Sequence, residues 1–216
     1  LFVKNAMKSS RFEYPSNIKH LTLTNKNVFL HADQGIGDQL MFLSCLKDVI
    51  KDKPKSIVIR CDERIQNPLK RVFPDITFSI SPHANTELYL SVTSLVTKYR
   101  LSIESFKNTP ANYIATDKKL SSQWCKEFSM QQKNLRIGIA WKGGSSSYSR
   151  LASEKSLLLK DLKPLLMIPN ITWINLQYGE VTNEIESLNS EIGVTIRDYK
   201  SVNPLIEIES QLALIS

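Results

Sequence analysis

The residues most able to do chemistry lie in two glycine-bearing loops. The first reads Asp33-Gln34-Gly35-Ile36-Gly37-Asp38. Its glycines can take backbone angles that other residues resist. A helical pattern opens at Asp38, with Phe42, Cys45, Leu46 and Val49 spaced along one face. A glycine turn that feeds a helix leaves backbone N–H groups without intrahelical partners. Such groups suit an anion, or a polar group at the floor of a cleft. Two plainer uses stay open: the glycines serve any chain that must reverse tightly, and Asp38 serves as a helix cap. The second loop reads Lys142-Gly143-Gly144-Ser145-Ser146-Ser147-Tyr148-Ser149-Arg150. Its glycines and hydroxyls would suit phosphate, but the order is not that of a phosphate-binding P-loop.

Other chemistries fail on spacing. A dinucleotide fingerprint needs a third glycine, and Leu40 stands in its place, where it would crowd helix against strand. Asp62 is placed to hold a ribose, yet any α/β chain can carry an acid there. No His-Glu-x-x-His, paired Cys-x-x-Cys or Asp-x-Asp sequence occurs. No serine or cysteine has a base evident beside it. His31 on the first strand reads as structural, and Trp141 and Trp173 read as core.

These loops need strands to present them. Apolar, β-branched runs predict strands over 28–32, 56–61, 76–80 and 87–90. Helices are expected over 38–50, 65–72 and 94–99, the first two stopped by Pro54 and by Phe73-Pro74. That alternation argues for a parallel sheet covered by helices. Residues 1–26 read as an entry segment with a short edge element at 21–23. Periodicity lapses over 102–116, so the boundary is placed between domains 1–112 and 113–216. A helix from 117 to 128 follows, then strands over 135–141, 171–176 and 194–196. Helices are expected over 162–167 and 183–189, and a helix or helix–strand pair over 205–215. The chain stops inside an apolar run, so the second unit is expected to be incomplete. It opens on Leu1, which suggests a start further upstream. Both loops would lie at the carboxyl ends of strands, where open α/β sheets bind ligands.

Composition sets wide limits. Of 216 residues, 42% are hydrophobic and 23% charged, as in ordinary globular chains. A net charge of +7 favours anionic partners such as nucleotides, phosphosugars or a membrane surface. The basic residues are scattered, which argues against nucleic acid. Cys45, Cys61 and Cys125 match no zinc spacing, and free thiols in a reducing compartment fit them. No secretory signal is visible, and no apolar run is long enough to span a bilayer.

The run "HADQGIGDQLMFLSCL" resembles the "EQGLGD…QF.RYL" signature of the glycosyltransferase family that includes bacterial heptosyltransferases. Its nearest likeness is to members fused behind tetratricopeptide repeats. "LRIGIAWKGG" followed by "EKSLLLKDLKPLLMIPNITWINLQYG" is similar to the family's second block, in the right order and separation. The likeness covers residues 11–216. Asp33 stands where the family commonly has Glu, Lys142 where it often has Ala or another residue, and Lys155 where it has Arg. The family's Asp-Thr-x-x-x-His-Leu-Ala block, which would follow Ser216, is absent. The resemblance implies an α/β chain of two tandem Rossmann-like units (GT-B type), the second incomplete. It implies a metal-independent, inverting transfer of a sugar from a nucleotide-sugar co-substrate, with no other cofactor. The acceptor, a glycan, lipid or protein, would sit on the first unit and the donor on the second. It implies a cytoplasmic protein at or near the inner membrane surface, with tetratricopeptide repeats upstream as a further partner.

Roles carry over residue by residue. Asp38 becomes the general base that takes the proton from the acceptor hydroxyl. Gln34, Gly35 and Gly37 would lie against substrate. Lys142, Gly143, Lys155 and Ser156, with Ser145, would hold the donor diphosphate, where positive charge steadies the leaving group. Gln177 would touch the donor from the end of its strand. Asp38 and Lys142 are thus expected to look into one gap between two units. Two alternatives remain: an NAD-dependent oxidoreductase, and a non-catalytic, transferase-like interaction module.

Overall fold

The computed structural model describes residues 17–107, 113–130, 134–143 and 155–216. The chain divides into two compact units, Leu1–Ala115 and Thr116–Ser216. Each holds its own parallel sheet, a mixed α/β arrangement compatible with a Rossmann-like fold.

Unit 1 starts from β1, Asn27–His31, in which all five residues are buried. A strand apolar on both sides belongs in the middle of a sheet covered on both faces. β1 pairs in parallel with β2, Ser56–Arg60, on one side and with β4, Leu88–Ser91, on the other. The short β3, Thr77–Phe78, extends the sheet beyond β2, giving the order β3-β2-β1-β4. Phe29, Val58 and Tyr89 form one row of the core, and the Phe29 and Tyr89 rings stack at 5.1 Å. Helices α1, Ile36–Leu43, and α2, Leu46–Lys51, follow β1. Helix α3, Glu63–Val72, follows β2, and α4, Thr93–Tyr99, follows β4.

The helix expected over 38–50 is therefore two helices, and it starts two residues earlier. The break falls at Ser44-Cys45. Ser44 Oγ donates to Met41 O at 2.6 Å, and the Cys45 N–H bonds back only to Phe42 O. A serine that bonds its own preceding turn competes with the helical ladder. Residues 21–23 form no strand, and Leu23 is buried in the core instead.

Unit 2 opens with α5, Lys118–Ser129, capped by Asp117, whose carboxylate accepts from the N–H groups of Lys119 and Leu120. Strands β5, Leu135–Ile139, β6, Ile171–Asn175, and β7, Ile196–Arg197, pair in parallel in that order. A 3₁₀ turn, Leu159–Leu162, runs into α6, Lys163–Leu166. Helix α7, Thr182–Ile192, ends at Gly193, whose φ of 67° is the left-handed value such ends favour. Residues Glu209–Ile215 form a helix, α8, rather than a helix–strand pair. Trp141 and Trp173 are both core residues, and Trp173 Nε1 donates to Leu166 O at 3.0 Å. Unlike β1, β5 lies at a sheet edge, and Leu135 is 65% exposed. Among the cysteines, Cys45 is buried, Cys61 half-buried and Cys125 exposed, and none forms a disulfide.

Among the described residues no helix is long and apolar enough to cross a membrane. No cluster of His, Cys, Asp or Glu among them could hold a metal ion.

Candidate functional site

In unit 1 the chain reverses at the carboxyl end of β1, beside the point where strand order turns from β2 to β4. Ligands of open α/β sheets bind at such a point. Gly35 is the N-cap residue of α1 and offers no side-chain cap. Its φ of −59° is ordinary, and Gly37 also lacks a positive φ. The expectation that these glycines supply unusual backbone angles is thus corrected. What they supply is room. A Cβ on Gly37 would meet nothing within 4 Å, and one on Gly35 would meet only Asp38 Oδ2, at 4.0 Å. Asp38 sits in the first turn of the helix, so it does not cap it. Its side chain is exposed and makes no hydrogen bond or ion pair among the described residues.

Beneath the turn runs a polar network that the sequence did not reveal. Gln39 is buried in α1. Its Nε2 donates to Gln34 O at 2.7 Å, and its Oε1 accepts from the Asp62 N–H at 2.8 Å. One amide therefore ties the glycine turn to the end of β2. Gln34 Nε2 donates to Asp33 Oδ1 at 2.6 Å, while Gln34 Oε1 is buried without a partner. His31 is 4% exposed, with Nε2 3.2 Å from Arg60 Nη1 and Nδ1 3.8 Å from Asp33 Oδ2. Arginine can only donate, so His31 Nε2 accepts and the ring is neutral. Burial lowers the His31 pKa; Asp33 opposes that shift and Arg60 adds to it. Asp62 caps α3 and accepts from Arg64 N, Nε and Nη2, bonds that hold its carboxyl below the usual range. Burial pushes the Cys61 thiol up to about 12, which suits packing rather than nucleophilic attack.

In unit 2, Lys142, Gly143, Lys155, Ser156 and Gln177 come together beyond β5. Leu157 N donates to Trp141 O at 2.8 Å, which brings the returning chain alongside the loop. The Gly143 N–H donates to Ser156 Oγ at 3.1 Å. A Cβ on Gly143 would lie 3.2 Å from Lys155 O, a tight contact that the returning chain would have to give way to by a few tenths of an ångström. Lys155 is exposed. Lys142 Nζ is ion-paired with Glu184, a residue sequence reasoning missed, on α7. Burial alone would raise the Glu184 carboxyl. Hydrogen bonds from Lys142 Nζ and the Leu159 N–H outweigh it and hold the group below its ordinary value. Ser145 lies outside the described residues.

Gln177 departs from the expected donor contact. It is 6% exposed, and its Oε1 accepts from both the Trp141 and Lys142 N–H groups, at 2.9 and 2.7 Å. Its Nε2 donates to Tyr178 O at 3.1 Å. The side chain is engaged in closing the loop and leaves little for a ligand. Only its place at the end of a strand could have signalled it.

Two comparisons found nothing: no family model matches the chain, and no solved structure matches it. The chain is similar to Protein FlbA of Caulobacter vibrioides, at 22% identity over 211 residues. That likeness takes in 89% of this chain but 35% of the relative, so the chain spans about a third of the length of the curated protein it matches.

Proposed function

We propose that this chain belongs to a glycosyltransferase of the GT-B type, which moves a sugar from a nucleotide-sugar donor to an acceptor hydroxyl. Unit 1 would receive the acceptor and unit 2 the donor. The observation that carries the reading is Asp38. Its carboxylate stands exposed and unengaged at the carboxyl end of β1, with open space over both neighbouring glycines. A general base must be within reach of the proton it removes, and it must not be tied up elsewhere. The resemblance of both sequence blocks supports the same assignment.

In unit 2 the loop beyond β5 offers the cations Lys142 and Lys155, while the Trp141, Lys142 and Gly143 N–H groups are already taken by Gln177 and Ser156. Preset positive charge at a departing diphosphate lowers the barrier without reorganisation. Lys142 would have to share itself between Glu184 and the donor. The oxidoreductase alternative is disfavoured by Asp62, whose carboxylate is occupied by Arg64 and by its own helix and so is not offered to a ribose. The engagement of Lys142 and Gln177 within unit 2 favours a second reading, a module that binds without turnover.

The test is a transfer assay with Asp38→Asn in the full protein. With the fold retained, the rate should fall by about 10²–10⁴, while sugar-nucleotide binding stays within twofold. Near-normal turnover would exclude the base. Binding without any turnover in the parent protein would select the module.

A further inference from the structure

The parallel register of unit 1 sets Arg60 of β2, His31 of β1 and Ser91 of β4 side by side. Paired residues in a sheet project from the same face, so the three form one polar row. It lies next to the apolar row of Val58, Phe29 and Tyr89. It is the last paired row of both ladders, at the carboxyl rim beside the strand-order reversal.

Arg60 is the unusual member. Its guanidinium has no carboxylate partner among the described residues, and its recorded contact is with the neutral His31 ring. Asp33 approaches the other side of that ring and does not pair with Arg60. His31 is held by burial and by stacking on Tyr89 at 5.9 Å, so it fixes one edge of the guanidinium without neutralising it. At the other end of the row, the Ser91 and Thr93 hydroxyls bond each other at 2.8 Å, and whichever accepts that bond can turn its own O–H outward. A fixed, uncompensated arginine is suited to a two-point contact with a planar or tetrahedral oxyanion.

We infer that the Arg60–His31–Ser91 row binds an oxyanion, a phosphate or carboxylate carried by the molecule that enters the unit 1 crevice. The inference rests on the reading of unit 1 as the acceptor side, and it adds that the acceptor is anionic near its reacting hydroxyl. His31 is a positioning residue: it touches Arg60, not the ligand.

The test follows the histidine ring signals of the protein by NMR during separate titrations with inorganic phosphate and with acetate. His31 should respond to at least one probe, and the tighter of the two identifies the oxyanion. His20 and His83 serve as controls. Arg60→Gln should weaken binding at least tenfold, and Arg60→Lys, which keeps the charge but loses the fork, severalfold. Ser91→Ala should weaken it less. Neutralising Arg60 with phosphate should also move the His31 titration upward, since Arg60 depresses it; the other groups facing the ring are Asp33 and Tyr89. An unresponsive His31, or equal affinity in the parent and both Arg60 variants, would overturn the inference. No sugar nucleotide is present in this titration, so its failure is separate from that of the transferase reading.

Discussion

Asp38 and Lys142 carry opposite charges and opposite degrees of commitment. Asp33, Asp48, Asp52 and Asp62 are each bonded within unit 1, whereas Asp38 is not. Lys142 is paired with Glu184, and that pair has a measurable consequence. Glu184→Gln should release the lysine and tighten the binding of a nucleoside diphosphate severalfold, as read by calorimetry. The same pair steadies the fold. A carboxyl held below its unfolded value of 4.5 contributes stability that is whole above that pH and lost as the pH falls through the folded value. Glu184→Gln should therefore flatten the acid limb of a stability–pH profile below pH 4.5. His31 behaves alike for a different reason. Its folded pKa lies below 6.5 because burial favours the neutral ring. Stability in unit 1 should be whole above pH 6.5 and fall as the pH drops through the folded value. His31→Gln should remove that slope in a denaturation series from pH 7.5 to 5.

At the level of elements, the glycine turn depends on Gln39 more than on either glycine. Gln39→Leu keeps the volume but leaves the Gln34 carbonyl and the Asp62 N–H without partners. Each buried group left unsatisfied costs about 1–3 kcal/mol, so chemical denaturation should show a loss of that order. The strands were readable because parallel strands buried on both faces are continuous apolar runs, as at Val28-Phe29-Leu30 and Ile57-Val58-Ile59. The start of α1 was misplaced because Ile36 and Gly37 look like turn residues when the cap, Gly35, has no side chain to announce it. The break at Ser44 was hidden because a serine within an apolar pattern does not say which way its hydroxyl bonds. The polar network escaped for a similar reason. A glutamine in the first turns of a helix is surface-like by type, and only the register of β1 against β2 brings the Asp62 N–H to it. Glu184 stands 42 residues from Lys142, and nothing local links them.

Over the whole molecule, the division at Ala115–Thr116 falls inside the stretch where periodicity lapses, and each unit has a parallel sheet of its own. The net charge of +7 sits largely in residues 1–115, with 16 Lys and Arg against 10 Asp and Glu, and residues 116–216 are close to neutral. The 22% identity to a relative nearly three times as long leaves the activity to be tested directly. The most direct measurement is a calorimetric titration of the full protein with ADP-sugars, UDP-sugars and NAD. The transferase account predicts that at least one sugar nucleotide binds, that Lys142→Ala weakens it about tenfold, and that NAD does not compete. Tight NAD binding with no response to any sugar nucleotide would contradict it.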